Sequence, residues 1–314
     1  MSNVAELKVF VAAAEELNFS RAAHRLHLSQ SAVSQNIQLL EKTYGVELFV
    51  RHGRTVELSE TGQLILPMAR GVLNSMRMLE DTLANTHGEI GGELTIGCSA
   101  TTGKYFIPSL LAAFRQDHPS VRTRVSVMSR HSISERLIDL SLALGVVSKR
   151  INHRDVESHL LMDDRLILIV PADHPWAAQG SISPRDILGQ PFIRREESSG
   201  TCDAVFNALR ACGVSIEMLN IIMELGNAEA VEMAVERGIG IAFVSELVAA
   251  RGLALGRVKK VQVEGVSPVQ QIFLCRQAAN TFTRAESAFW DFVQARGGQL
   301  RSELLYNLAD VTPA

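Results

Sequence analysis

Long apolar runs are missing from this 314-residue sequence. No stretch approaches the roughly 18–20 residues that a membrane-spanning helix requires, and the best one, from Ile167 to Ala172, stops at Asp173. The early apolar run Val9 to Ala14 is six residues long and meets Glu15-Glu16 at once, so no secretory signal is expected. Cysteine is scarce. The four present, Cys98, Cys202, Cys212 and Cys275, form no C-x-x-C pair, which fits a reducing cytoplasm better than a disulfide framework or a zinc site. An excess of one charge is also absent: 31 Lys+Arg against 34 Asp+Glu leave −3. Any nucleic-acid function must therefore rest on a local patch.

The common signatures of enzymes are lacking as well. There is no G-x-S-x-G elbow, H-E-x-x-H helix or G-x-x-x-x-G-K-S/T loop, and the nine histidines show no metal-ligand spacing. Gly238-Ile239-Gly240 follows a helical stretch and precedes a strand, the reverse of a dinucleotide fingerprint. No internal repeat or low-complexity tract interrupts the chain. The sequence points away from an enzyme and implies no cofactor.

What is present is ordinary globular chemistry, 46% hydrophobic and 21% charged, over a length that suits two or three folded units. Val4, Leu7, Phe10, Val11, Ala14 and Leu17 recur at helical spacing. Ser20 suits the N-cap of a second helix with Ala22, Ala23 and Leu26 inside, and Ser29 that of a third with Val33, Ile37 and Leu40 inside. Gly45 suits its end. Leu48 to Arg51 and Thr55 to Leu58 flank His52-Gly53 as a small hairpin. Residues 1–58 thus read as a winged helix-turn-helix.

One helix of roughly 28 residues and about 42 Å follows, over 59–87. Ile65, Met68, Val72, Met76, Leu79 and Leu83 are spaced 3, 4, 4, 3 and 4, close to a heptad seam that calls for a partner helix. Pro67 lies near its start as a possible kink. Gly88, Gly91 and Gly92 then mark a hinge. Beyond it strands and helices alternate, with strands expected at Glu93–Gly97, Val121–Val127, Leu140–Val147, Arg165–Pro171, Ile239–Val244 and Val269–Arg276. The helices are expected from about Tyr105, near Ser134, at Thr201–Cys212 and Ala228–Arg237, and at Thr281–Arg296. This predicts doubly wound parallel α/β sheets in two lobes, about 93–163 with 269–298 and about 164–268, within a unit spanning 88–314.

Two short helices joined across Leu28-Ser29, with Ala22 and Ala23 permitting a close crossing, read as a helix-turn-helix. On the third helix Ser31, Ser34, Gln35 and Gln38 share the face opposite the apolar one. Glutamine pairs bidentately with adenine, and serine serves phosphates or base edges. Arg25, Arg51 and Arg54 are natural phosphate contacts. Six basic and six acidic residues cancel over 1–58, so attraction to double-stranded DNA must come from placement and from multiple copies.

Ala22-Ala23, Leu26, Ser29-Gln30, Ala32-Val33-Ser34, Leu40-Glu41, Gly45, Leu48-Phe49, Arg51 and Leu58-Ser59 with Gly62 resemble the N-terminal signature of the LysR-type transcriptional regulators. The long helix, the glycine hinge and the two-lobed remainder are similar to that family too. The resemblance implies Ser29 and Gln30 as further DNA contacts, an interrupted palindromic operator and a homotetramer built from dimers. It also implies RNA polymerase as a partner and a periplasmic-binding-protein-like effector domain. The sensor part most resembles regulators of carbon fixation or of sulfur and cysteine metabolism. Two departures stand out. Gln35 and Gln38 occupy positions where many members carry Arg or Lys. Leu137 to Leu144 reads L-I-D-L-S-L-A-L, with no Gly and with Ser141 near the position of the Asp that usually opens the third strand, so that loop is expected to be remodelled.

In doubly wound sheets, ligands sit beyond the carboxyl ends of strands. Gly97 to Gly103, with Ser99, Thr101 and Thr102, lies at such a place in one lobe, and Glu197 to Thr201, with Ser199 and Thr201, in the other. Two hydroxyl-rich helix starts suit a small anion clamped between them, with Ser129 at the end of the second strand as a further contact. Arg130, Arg194 and Arg195 are candidate counter-charges. The alternative is a thiol switch at Cys98 or Cys202, the chemistry that the resemblance to peroxide-sensing members implies. Cys202 and Cys212 are not expected to bridge: ten residues within one helix separate Cα atoms by about 15 Å, beyond the roughly 7 Å limit.

Overall fold

The computed structural model describes residues 3–52, 55–84, 89–278 and 282–309, with the side chains of 51, 52, 84 and 297–309 outside the description. Gly53, Arg54, Gly88 and Thr281, named above, and the last residues of the expected 59–87 helix, 85–87, lie outside the described residues. The chain begins with α1 (Val4–Glu16), α2 (Phe19–Leu26) and α3 (Gln30–Tyr44), followed by the hairpin β1 (Phe49–His52) and β2 (Thr55–Leu58). Asn3 caps α1 with a capping box closed by Glu6. The second cap is Asn18, not Ser20: its carboxamide accepts from the Ser20 and Arg21 amides, so the helix starts two residues earlier than expected. Ser29 caps α3 by accepting from Ala32 N–H, and Gly45 ends it at φ 65°. Phe10, Ala22, Ala23, Val33, Ile37, Leu48 and Phe49 form the core. Glu41 accepts from both Leu48 and Phe49 N–H, which pins the hairpin to α3.

Helix α4 (Glu60–Ala84) runs straight on from the hairpin and continues through Pro67. Its inner side completes the first core through Ala69, Ile65 and Leu73. Leu64, Met68, Val72, Leu79 and Leu83 face solvent, each about half to two-thirds exposed.

The next lobe contains β3 (Gly92–Cys98), α5 (Ala100–Tyr105), α6 (Ile107–Asp117), β4 (Val121–Val127), α7 (Arg130–Ile138) and β5 (Leu144–Val147). Strand β6 (Val156–Pro171) then passes into the second lobe. That lobe holds α8 (Pro175–Gln179), β7 (Ser181–Ile182), β8 (Phe192–Arg195), α9 (Gly200–Ala211), β9 (Ile221–Leu225), α10 (Ala228–Glu236), β10 (Ala242–Ser245), α11 (Glu246–Ala254) and β11 (Val258–Val263). Strand β12 (Val269–Gln277) returns the chain, and α12 (Arg284–Ala309) packs on the first lobe.

The expectation of parallel sheets needs correction. Strands β4, β3 and β5 are parallel, but β12 runs antiparallel to both β5 and β6, and β10 and β11 run antiparallel to β6. The reason is the two crossing strands. β6 carries the chain out of the first lobe and β12 brings it back, so the pair is necessarily antiparallel. Strand β6 is also longer than the segment Arg165–Pro171, because its first half pairs with β12 in the first lobe. In its second half Leu166, Leu168 and Val170 enter one core while Ile167 and Ile169 enter another, on the opposite face. Burial on both faces is why this segment reads as a continuous apolar run. Two further boundaries move. The helix expected from about Tyr105 is α6, which begins at Ile107 after a separate short helix, α5, and the strand expected from Leu140 begins at Leu144 after a turn in which Leu140 has φ 63°.

Candidate DNA-reading surface and effector cleft

Gln30, Ser31, Gln35 and Gln38 are exposed on α3, and Ser34 is half-buried beside them. Their row lies opposite Val33, Ile37 and Leu40, which hold α3 on the core. Ser29 is committed to its cap and shares a 2.9 Å hydrogen bond with the Ser31 hydroxyl. The face is uncharged and presents carboxamides and hydroxyls, suited to base edges rather than to phosphate alone. Arg25 is placed differently from the expectation. Its guanidinium sits 2.7 Å from Glu15 and 3.6 Å from Glu16, so a phosphate contact requires it to exchange these partners. Arg51 lies on β1 opposite Val56; its side chain and all of Arg54 lie outside the described residues.

Between the lobes is a cleft of about 280 Å³. Ser99, Thr101, Thr102, Ser129, Ser199 and Thr201 all line it, together with Arg130 and Arg195. The starts of α5, α7 and α9 converge here; the Ser129 and Ser199 hydroxyls cap α7 and α9, while Ser99 stands at the N-cap position of α5 without a side-chain cap hydrogen bond. The lobes approach closely. A Cβ at Gly200 would lie 2.3 Å from the Ser148 carbonyl oxygen, so a glycine is required for α9 to rest against the end of β5. Lys149 pairs with Asp203 and Lys104 with Glu229 across the same divide.

The hydroxyls do not play equal parts. Thr102 is fully buried and donates to the Ser99 carbonyl oxygen at 2.9 Å, within its own lobe. Thr201 donates to Gln270 at 3.0 Å. Of the arginines, Arg195 is bidentate with Glu196. Arg194 does not line the cleft and pairs with Glu197 and Glu224. The Arg130 Nε is buried with no hydrogen-bond partner among the described residues. Sequence reading missed Ser148, Gln270 and Asp164. The available signal was polarity out of place, an Asp and a Gln at the ends of apolar strand runs.

The same two parts emerge from comparison with known proteins. Residues 4–63 match the model of the bacterial regulatory helix-turn-helix protein, lysR family, and residues 87–298 match the LysR substrate binding domain. The chain belongs to the LysR family of transcriptional regulators. It is 33% identical over 299 residues to the RuBisCO operon transcriptional regulator of Allochromatium vinosum, covering 95% of this chain and 98% of that one. Among solved structures it is similar to full-length OxyR from Pseudomonas aeruginosa, with TM-score 0.72, 23% identity, and 94% of this chain and 95% of that chain covered. It is also similar to full-length CbnR complexed with its target DNA, with TM-score 0.66, 22% identity, and 94% and 99% covered. These structural likenesses describe the fold. The regulator is a DNA-binding transcription factor with an effector-binding domain and not an enzyme. No described helix is long and apolar enough to cross a membrane.

Nothing at the cysteines favours a thiol switch. Burial pushes the Cys98 thiol up to about 11, against a smaller opposing hydrogen bond with Thr102. Cys202 is likewise pushed up to about 11 by burial, opposed by Arg194. The thiolate is the reactive form, and both sites suppress it. Cys202 and Cys212 are both free thiols, and Cys212 donates to the Gly265 carbonyl oxygen at 3.3 Å.

Asp164 is the unusual group near the cleft. It is 3% exposed, on β6. Burial raises its carboxyl to about 6, against hydrogen bonds from Ser245 and Gln270, with Glu246 adding to the rise. Because the folded value lies above the unfolded 3.8, Asp164 favours folding at low pH, and that contribution is lost as pH rises through about 6. Asp164→Asn removes this dependence. The stability advantage of the variant over the wild type is therefore expected to shrink by up to ~3 kcal/mol between pH 8 and pH 4. Paired urea titrations across that range check it, and a constant difference would contradict a carboxyl whose pKa is raised by folding.

Proposed function

We propose that this regulator acts in the cytoplasm as a homodimer assembled into a homotetramer, reading an interrupted palindromic operator. Its activity is set by a small anionic metabolite in the interlobe cleft, and RNA polymerase is the downstream partner. The division at residues 58 and 88 separates reading head, pairing helix and sensor. In the head, Gln35, Gln38 and Ser34 read bases, with Ser29, Gln30, Ser31, Arg51 and Arg54 on phosphates or neighbouring edges and Arg25 joining after exchange. In the cleft, Thr101 and Ser199 offer hydroxyls, Ser99 and Ser129 open their helices, and Thr102 shapes the wall.

The observation that carries the reading is the partnerless Arg130 Nε, buried at a cleft where three helix starts converge. Helix N-termini and an unsatisfied guanidinium both favour an anion. Coupling to DNA has a physical route. Helix α7 starts at the cleft with Arg130 and ends at Asp139, and Asp139 lies 2.7 Å from Arg70 of α4. Arg70 in turn lies 3.0 Å from Glu15 of α1. A ligand that prefers one lobe arrangement thereby biases where the reading head sits.

A thermal-shift panel of small carboxylates and phosphates on the full chain tests the reading. At least one is expected to raise the melting temperature by mass action, and Arg130→Gln is expected to weaken that ligand about tenfold or more. A panel in which only uncharged compounds stabilise, or a ligand indifferent to Arg130→Gln, would refute the anion cleft.

A further inference from the structure

The cleft is polar in a directional sense, and the direction is set from outside it. Asp164 and Gln270 are both buried, on the two strands that cross between the lobes. An ionised carboxylate only accepts hydrogen bonds. Asp164 accepts from Ser245 Oγ at 2.7 Å and from Gln270 Nε2. With its NH2 group turned to Asp164, Gln270 has only its carbonyl oxygen left for Thr201, 3.0 Å away. The single Thr201 hydroxyl hydrogen is therefore spent on Gln270, and only lone pairs remain at the cleft.

Other cleft hydroxyls lean the same way. Thr102 gives its hydrogen to a backbone carbonyl and so accepts from Ser99, 2.9 Å away. Ser129 donates to Ser132 at 3.0 Å. Those pairs can rotate. The Thr201 chain cannot, because it ends on a buried carboxylate. Glu196 adds another acceptor to the lining, while Arg130 supplies the cationic pole.

We propose that the effector is a small anion that also carries its own hydrogen-bond donor, a hydroxyl or ammonium group, and that the Asp164–Gln270–Thr201 chain enforces this choice. The proposal rests on the anion-cleft reading and narrows it. An anion whose only polar atoms are acceptors would set lone pairs against the Thr201 oxygen. A site built to pair with a hydroxyl discriminates strongly against the analogue lacking it.

Asp164→Asn inverts the chain. Ser245 is buried and its hydroxyl hydrogen has this side chain as its acceptor, so it stays satisfied by continuing to donate to the new amide's oxygen. The amide's NH2 group then faces Gln270, which turns over and donates to Thr201, and the Thr201 hydrogen is released into the cleft. Thr201→Val removes the hydroxyl while nearly preserving volume.

The test is a titration of the full chain with two matched pairs of probes, succinate against malate and ethyl phosphate against phosphoethanolamine. It is read at the Thr101 and Thr201 methyl resonances up to tens of millimolar, at about pH 8, where Asp164 is ionised. In the wild type the donor-bearing member of a pair is expected to bind about tenfold tighter or more. That preference is expected to reverse in Asp164→Asn and to vanish in Thr201→Val, with folding of each variant checked by its melting temperature. If both members of each pair bind alike in the wild type and both are weakened by Arg130→Gln, the anion cleft stands and the donor requirement is overturned. If no probe perturbs either methyl, the anion-cleft reading falls and this inference with it.

Discussion

Replacing Val72 and Leu79 together by aspartate is expected to leave each chain folded while reducing its sedimenting mass to that of a smaller assembly. Both side chains are about half exposed in the isolated chain, in line with Met68 and Leu83, so neither supports the core beneath α4. In a paired helix they would lie on the seam, and two aspartates there would bury unpaired charge. The consequence for DNA is larger than the local change. A reading head that binds both half-sites gains from effective concentration, and loss of pairing is expected to lower specific affinity by roughly 10²–10⁴. Gln35→Ala provides the contrast: unchanged mass, with about 1–3 kcal/mol lost against the specific site only. Sedimentation with unchanged mass for the double aspartate variant would mean that the stripe is covered by something other than a second α4.

Arg70→Ala is expected to destabilise the chain by about 2–4 kcal/mol and to free the reading head from the sensor. The Arg70 side chain is 9% exposed and joins three elements: Glu15 of α1, Asp139 at the end of α7, and α4 itself. Its Nη1 also donates to the Asp139 carbonyl oxygen at 3.2 Å. Removing the guanidinium takes the cation from between the two carboxylates, leaving Glu15 only its pairing with Arg25. Both carboxylates are partly exposed, which puts the loss below the largest values for buried pairs. Glu15→Gln in the Arg70→Ala background is expected to restore part of the stability, giving an interaction energy of about 1–2 kcal/mol in a double-mutant cycle measured by urea unfolding. Strict additivity of the two changes would remove Arg70 as the joint between head and sensor.

The Leu140 turn belongs to the same joint. Its φ of 63° is strained for a leucine, yet its side chain reaches α4, where a Cβ at Gly71 would be 3.6 Å from Leu140 Cδ1. The missing glycine in L-I-D-L-S-L-A-L thus marks a contact between sensor and pairing helix. The sequence displayed the departure, and only the packing explained it.

Elsewhere legibility followed the range of the forces involved. The reading head was legible almost in full, because caps and 3.6-residue periodicity act between neighbours in sequence. The one slip, Ser20 for Asn18, exchanged two good capping residues two positions apart. The cleft loops were legible for the same reason, as hydroxyl-rich helix starts after strands. Strands β7, β8, β9 and β11 and helices α5, α8 and α11 were missed. Their short runs carry little periodic signal and are held by partners far along the chain.

The sequence by itself determined the identity of the parts: a helix-turn-helix with an uncharged reading face, an apolar stripe that its own chain leaves uncovered, and two α/β lobes. These follow from patterns that repeat every two to four residues, and no distant contact is needed to produce them. Only the tertiary structure decided the antiparallel crossing of β6 and β12, the capture of Arg25 and Arg70 by acidic neighbours, and the direction of the Thr201 hydrogen bond. Apart from Arg25, which is ten residues from Glu15, each depends on groups dozens of residues apart, 69 between Thr201 and Gln270 and 106 between Gln270 and Asp164. A hydroxyl's role as donor or acceptor is fixed by whichever group folding sets beside it, and that neighbour has no local signature in the chain.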